Sequence, residues 1–220
     1  MAFETSHTDV EARILERALP PGSRVLEAGC GRTTRLAAYR DRIAELVGVD
    51  LDADAGQENA ALDRFLVADL CATLPFEPET FDLVYANFVV EHLRSPQAAF
   101  AEWRRGLKPG GSLVLLTSNR ANPLLRMAQL LPQRTRSVVK RVGPGAAERD
   151  VFPAVYRANT PGRLAAVAAA AGFEPVSVAC VATLHRYAGE RPALVGLLRE
   201  VERLLPASLR STIVAWYRAG

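Results

Sequence analysis

The sequence is poor in lysine, cysteine and long apolar runs, and each shortage excludes something. Of its 27 basic residues only Lys108 and Lys140 are lysine, a bias that also follows from a G+C-rich genome and carries no functional weight. The three cysteines, Cys30, Cys71 and Cys180, are odd in number and widely spaced, without a Cys-x-x-Cys pair or a histidine-rich partner. That pattern excludes a disulfide framework and a zinc site, and predicts buried thiols in a reducing compartment. The longest apolar run, Leu164 to Phe173, falls far short of the ~20 residues needed to span a bilayer. The first residues carry Glu4, Asp9 and Glu11 and lack a basic stretch followed by an apolar core, so no signal peptide is expected. Together these absences predict a cytoplasmic protein with no metal.

What is present is ordinary for a globular chain. A 49% hydrophobic share, 23% charged residues and a net charge of +3 exclude a disordered or fibrous protein. At 220 residues one domain with an elaboration is expected. The organising stretch is Arg24 to Thr34. Val25 and Leu26 are β-prone, Glu27 is acidic, and Gly29-Cys30-Gly31 turns directly into a run that favours a helix, from about Thr33 to Ile43. A strand, a glycine turn and a helix start present free backbone N–H groups to a ligand.

Along the chain, strand and helix alternate. Thr8 is placed to cap a helix from Asp9 to Leu19, and strands are expected near 24–28, 46–50, 64–68, 81–86, 112–117, 174–182 and 211–218. Helices are expected over 53–62, 96–106, 160–171 and 192–205. The alternation predicts an α/β fold: a doubly wound, mostly parallel sheet of seven strands with helices on both faces. Ligands of such sheets bind beyond the carboxyl ends of the strands, where Glu27, Asp50, Asp69 and Asn87 stand. From Arg120 to Arg149 the alternation breaks. This cationic, amphipathic stretch begins with a helix at Asn122-Pro123 and has room for a short helix over 135–142.

Two cofactor classes fit a glycine turn followed by an acid at the end of the next strand. A dinucleotide site expects a third glycine, and here Gly29-x-Gly31 is followed by Arg32, Thr33 and Thr34. An acid immediately before the turn repels a pyrophosphate and suits a cation instead.

Six motifs in order, Val25-Leu26-Glu27-Ala28-Gly29-Cys30-Gly31, Gly48-Val49-Asp50, Ala68-Asp69-Leu70, Phe81-Asp82-Leu83-Val84, Glu91-His92-Leu93 and Leu107-Lys108-Pro109-Gly110-Gly111, make the chain resemble a known family. It is similar to the class I, Rossmann-like S-adenosylmethionine-dependent methyltransferases, in particular the type 11 small-molecule group. The resemblance implies a single domain over 1–220 with an antiparallel last strand, residues 120–158 forming an insertion or lid on the substrate side. It implies that Glu27, Gly29 and Gly31 hold the methionine moiety, that Asp50 takes the ribose hydroxyls, and that Asp69 meets the adenine amino group. Leu51 and Leu70 would flank the adenine, and Asn87 would face the ligand. Thr33 departs from the pattern, since the family usually has glycine there and a β-branched residue tolerates positive φ poorly. Either the turn differs or Thr33 already caps the helix.

His92 is the candidate general base, a neutral imidazole able to take a hydroxyl proton during methyl transfer; the alternative is a structural histidine bonded to backbone at a helix start. His185, near a strand end, reads as a surface residue ahead of a place lining the substrate pocket; His7 is expected to be mobile, and Asp82 to cap or solvate the start of the fourth strand. The cationic stretch reads first as a lid, with Phe152, Tyr156 and Arg157 as walls. An interfacial helix pair over 120–149 for a lipid-like substrate, or solvated arginines, are the other readings. Basic residues confined to one segment, with no Asn-Pro-Pro-Tyr-like motif, argue against nucleic acid. The expected activity is transfer of the methyl group of S-adenosylmethionine to a small-molecule, lipid-like or glycan-like acceptor, at an oxygen. The rivals are an idle S-adenosylmethionine-binding partner and a nicotinamide-dependent reductase, which lacks its third glycine and a Tyr-x-x-x-Lys pair.

Overall fold

The computed structural model describes residues 6–130, 153–189 and 191–220. Its seven strands are β1 (Ser23–Ala28), β2 (Ile43–Asp50), β3 (Arg64–Val67), β4 (Phe81–Asn87), β5 (Leu107–Ser118), β6 (Phe173–Val181) and β7 (Thr212–Ala219), forming one sheet in the order β3-β2-β1-β4-β5-β7-β6. The first five are parallel, and β7 runs antiparallel to both β5 and β6. The doubly wound, mostly parallel fold expected from the alternation is therefore present, with its antiparallel last strand. Strand order reverses between β1 and β4, which opens a crevice above their carboxyl ends.

The helices are α1 (His7–Ala18), α2 (Ala53–Glu58), α3 (Pro96–Gly106), α4 (Pro123–Leu130), α5 (Pro161–Ala170) and α6 (Pro192–Leu204). Successive residues of a central strand feed two different cores. Leu26, Val84, Ala86, Leu113 and Leu115 pack with Phe100 and Trp103 of α3 and Leu164 of α5. Val25, Leu46, Leu83, Tyr85, Val114 and Leu116 pack with Ile14 and Leu15 of α1. Because side chains alternate along a strand, Glu27, Asp50 and Asn87 all belong to the α1 face.

Several boundaries differ from expectation. Ser6, not Thr8, caps α1: its Oγ accepts from the Asp9 N–H at 3.2 Å and the Asp9 carboxylate accepts from the Ser6 N–H at 3.0 Å. His7, expected in a mobile terminus, is buried as the first residue of this helix. The helix after the glycine turn is a 3₁₀ helix, Arg35–Arg42, interrupted at Tyr39. The turn expected at Leu107 to Gly111 is drawn into β5, where Leu107 pairs with Phe81 across a register shift. Asp82 is not merely solvated: it accepts from the Arg24 N–H at 2.9 Å and from Lys108 Nζ at 2.7 Å. The short helix expected over 135–142 and the Phe152 wall lie outside the described residues.

Candidate functional site

β1 delivers Glu27 to the crevice between neighbours that pin it, opposite Gly48 of β2 and Tyr85 of β4. The chain then turns through Gly29 at φ +72° and Gly31 at φ +52°. The Gly29 N–H donates to the Val49 carbonyl at 2.7 Å, and a Cβ on Gly29 would lie 2.2 Å from Val89 Cγ2. Gly29 is thus required by backbone and by packing alike. At Gly31 a Cβ would meet nothing within 4 Å, so that side of the turn is open to a ligand.

The turn is braced from β2 and α2. Asp50 Oδ2 accepts from the Gly31 N–H and Oδ1 from the Asp52 N–H, both at 3.0 Å. An ionised carboxylate has about four acceptor positions, so two remain for hydroxyl donors. Buried Asn59 donates to the carbonyls of Cys30 at 3.1 Å and Gly31 at 3.2 Å, and Arg32 reaches Asp52 at 3.3 Å and Glu58 at 2.6 Å. Asn59 carries no motif that marks it in the sequence. Thr33 needs no positive φ, and the cap is one residue later: Thr34 Oγ1 accepts from the Leu36 N–H at 3.0 Å.

Thr34 also donates to Glu27 Oε1 at 2.6 Å, while Glu27 Oε2 is buried with no hydrogen-bond partner. Burial is the main cause that pushes the Glu27 carboxyl up to about 8; the Asp50 carboxylate adds to it and the Thr34 hydroxyl opposes it. An acid held in this way is matched by a cationic ligand. Asn87 Oδ1, on the same face, is likewise buried without a partner. Leu51 is exposed beside the crevice, whereas Leu70 is buried in the opposite core. Asp69 is exposed, and its Oδ1 accepts from the Cys71 N–H at 2.8 Å.

His92 ends a short 3₁₀ turn, Val90–His92, just beyond β4. Its Nδ1 lies 3.3 Å from the Pro153 carbonyl, which can only accept, so this contact is a hydrogen bond in the tautomer that carries its proton on Nδ1. The turn is anchored by buried Glu91, which accepts from Thr117 Oγ1 at 2.7 Å and Ser118 Oγ at 3.1 Å. Its carbonyl accepts from the N–H groups of Val155 at 2.8 Å and Tyr156 at 3.0 Å. Tyr156, expected to wall the substrate side, lies under the Arg120 guanidinium at 5.0 Å. His185 is half-buried in the turn Leu184–Ala188 after β6. Among the described residues no three His, Cys, Asp or Glu side chains converge to hold a metal, and no helix is long and apolar enough to cross a membrane.

With this geometry in place, likeness to known proteins is informative. The family described as "Methyltransferase domain" matches residues 26–115, from β1 into β5. The chain is 35% identical over 165 residues to the ubiquinone/menaquinone biosynthesis C-methyltransferase of Syntrophotalea carbinolica, covering 65% of this chain and 68% of that protein. It is 38% identical over 99 residues to the malonyl-[acyl-carrier protein] O-methyltransferase of Enterobacter lignolyticus, covering 43% of this chain but only 39% of that relative's length. Among solved structures, the geranyl diphosphate C-methyltransferase from Streptomyces coelicolor, in complex with Mg2+, geranyl diphosphate and S-adenosyl-L-homocysteine, superposes with a TM-score of 0.66 at 16% identity. That likeness spans 97% of this chain and 77% of the other, and it speaks to the fold.

Proposed function

Because this chain belongs to the class I S-adenosylmethionine-dependent methyltransferases, we propose that it transfers the methyl group of that cofactor to a hydroxyl oxygen of a small-molecule acceptor. The observation that carries the reading is the buried, unpartnered Glu27 Oε2 beneath an open glycine turn. The residues present fit the cofactor. Glu27 would take its ammonium, the Gly29–Gly31 turn would approach its methionine moiety, Asp50 would accept from its ribose hydroxyls, and Asp69 would meet its adenine amino group. Leu51 would border the adenine, whereas Leu70, expected beside it, is packed into the α3-side core, and Asn87 Oδ1 would accept a further donor. When bound, the cofactor supplies an electrophilic methyl group on a sulfonium.

The chain's own contribution is then positioning, exclusion of water and handling of one proton. Asp50 holds the turn through Gly31, and its remaining lone pairs would accept from the ribose hydroxyls. In the tautomer that donates from Nδ1 to the Pro153 carbonyl, Nε2 of His92 would be the base for the acceptor hydroxyl. The relatives include C-methyltransferases as well as an O-methyltransferase, so oxygen is the reading to test. The same proposal comprises one domain with residues 120–158 as a lid on the substrate side, a cytoplasmic location, no metal requirement and no nucleic-acid partner. Calorimetric titration with S-adenosylmethionine should give stoichiometric binding, and a panel of phenolic, carboxylic and carbon acceptors should return labelled methyl ether or ester. Binding without transfer to any acceptor would favour an idle cofactor-binding protein, and labelling only at carbon would overturn the oxygen assignment.

A further inference from the structure

Outside that site a second polar cluster stands at the same edge and on the same α1 face of the sheet. It is assembled from three distant places: the first residue of α1, the residue after Thr34, and the turn that follows β6. Nε2 of buried His7 lies 2.5 Å from Arg186 Nη1 and 3.3 Å from Arg35 Nη2, so two guanidiniums point at one lone pair. Burial, then Arg186, Arg35 and His185, push the His7 ring down to about 4, against Asp9, so at neutral pH it adds no charge of its own.

The charges in this cluster do not balance locally. Arg35 is compensated by Glu11, whose Oε2 lies 2.6 Å from Arg35 Nη1 and whose Oε1 accepts from the Tyr85 hydroxyl. Asp9 is engaged by the Ser6 N–H in the helix cap. Arg186 has His7 as its polar partner and no carboxylate among the described residues. A neutral imidazole is a weak acceptor for two forked cations, whereas an oxyanion would accept from both and offset the second charge.

We propose that Arg186 and Arg35 form an oxyanion subsite that takes a carboxylate or phosphate group of a ligand bound in the crevice, the anion replacing His7 as their shared acceptor. The subsite lies beside the cofactor turn: Arg35 follows Thr34, which is bonded to Glu27, and Glu27 and Tyr85 face each other across β1 and β4. Two sources of that anion fit, the α-carboxylate of the cofactor's methionine moiety and an acidic group on the methyl acceptor. The proposal rests on the methyltransferase reading, since those are the ligands it brings to the crevice.

Wild type and Arg186→Gln are titrated with S-adenosylhomocysteine and with 5′-methylthioadenosine, which keeps the nucleoside and thioether but lacks the amino acid. Inorganic phosphate is added separately while the His7 ring signals are followed by NMR. A loss of about tenfold or more in S-adenosylhomocysteine affinity, with 5′-methylthioadenosine unchanged, assigns the subsite to the cofactor carboxylate. Unchanged nucleoside binding, with phosphate shifting the His7 signals in wild type and not in the variant, assigns it to an acidic acceptor. If Arg186→Gln alters neither ligand and phosphate leaves His7 unmoved, or if both nucleosides weaken equally, the subsite is refuted and the cluster only clamps α1. Arg186→Lys, which keeps the charge but not the fork, should fall between wild type and Arg186→Gln, and serves alone should the glutamine variant not fold. Failure of wild type to bind S-adenosylhomocysteine would instead strike the methyltransferase reading.

Discussion

The Thr34 hydroxyl donates to Glu27 Oε1 at 2.6 Å while accepting from the Leu36 N–H at 3.0 Å. One residue therefore starts the 3₁₀ helix and fixes the acid beneath the glycine turn. It occupies one carboxyl oxygen of Glu27 and leaves Oε2 to a ligand. Thr34→Val would remove both bonds at once and should loosen the turn and the acid together.

The raised Glu27 carboxyl predicts a proton coupling. Its ordinary value of 4.5 is pushed up to about 8 in the fold, so between those values the folded, unliganded protein holds a proton that the unfolded chain has released. Its contribution to stability is fully present below about 4.5 and is lost as pH rises through about 8. Binding a cation at Oε2 favours the carboxylate, so cofactor binding at pH 6 to 7 should release close to one proton. Calorimetry in buffers of different ionisation enthalpy measures that release. Glu27→Gln should abolish it and weaken binding.

Gly29 and Gly31 should answer differently to alanine. Gly29→Ala meets both the positive φ and Val89 Cγ2 at 2.2 Å, and should cost about 2–4 kcal/mol of stability, with Val89→Ala restoring only the steric part. Gly31→Ala meets open space and should cost about 1 kcal/mol of stability while lowering cofactor affinity out of proportion. Thermal unfolding beside calorimetric titration separates the two, and equal effects on both readouts would contradict the open ligand side at Gly31.

Asp50 has two tasks, and its variants should separate them. Asp50→Ala removes the brace on Gly31 and Asp52 as well as the ribose acceptors, and should weaken cofactor binding by about 1–3 kcal/mol while lowering the melting temperature. Asn59→Ala removes the support of the Cys30 and Gly31 carbonyls and the acceptor of the Ala61 N–H, and no ribose acceptor. It should lower stability by about 1–3 kcal/mol, with a smaller loss of affinity. Unchanged affinity in Asp50→Ala would refute the ribose assignment.

His92→Ala should lower turnover at least about a hundredfold with cofactor affinity unchanged if Nε2 takes the acceptor proton. A fall in melting temperature with turnover unchanged would instead assign His92 to holding the Pro153 carbonyl.

Much of this architecture was legible in local signals. β-Prone runs closing on Glu27, Asp50 and Asn87, with glycines between the first strand and its helix, located the crevice, because strand ends and turns are set by neighbouring residues. The resemblance to the methyltransferase family rested on the same stretches. Local signals failed where a better partner lay nearby. Ser6 won the α1 cap over Thr8 by a reciprocal bond with Asp9, and Thr34 took the role read at Thr33. Asp82, read as capping or solvating its own strand start, instead accepts from Arg24 of β1 and Lys108 of β5, partners that the fold brings beside it.

The sequence by itself determined the succession of elements, the acids at the strand ends and the glycine turn, since propensity and side-chain period act over a few residues. Only the tertiary structure decided which groups complete the site. The Asn59 amide on the turn bridges residues 28 and 29 apart, and the Arg186 contact with His7 spans 179. The antiparallel seating of β7 between β5 and β6 is of the same kind. Contacts at such separations follow from how the two cores close on either face of the sheet, which no local period encodes.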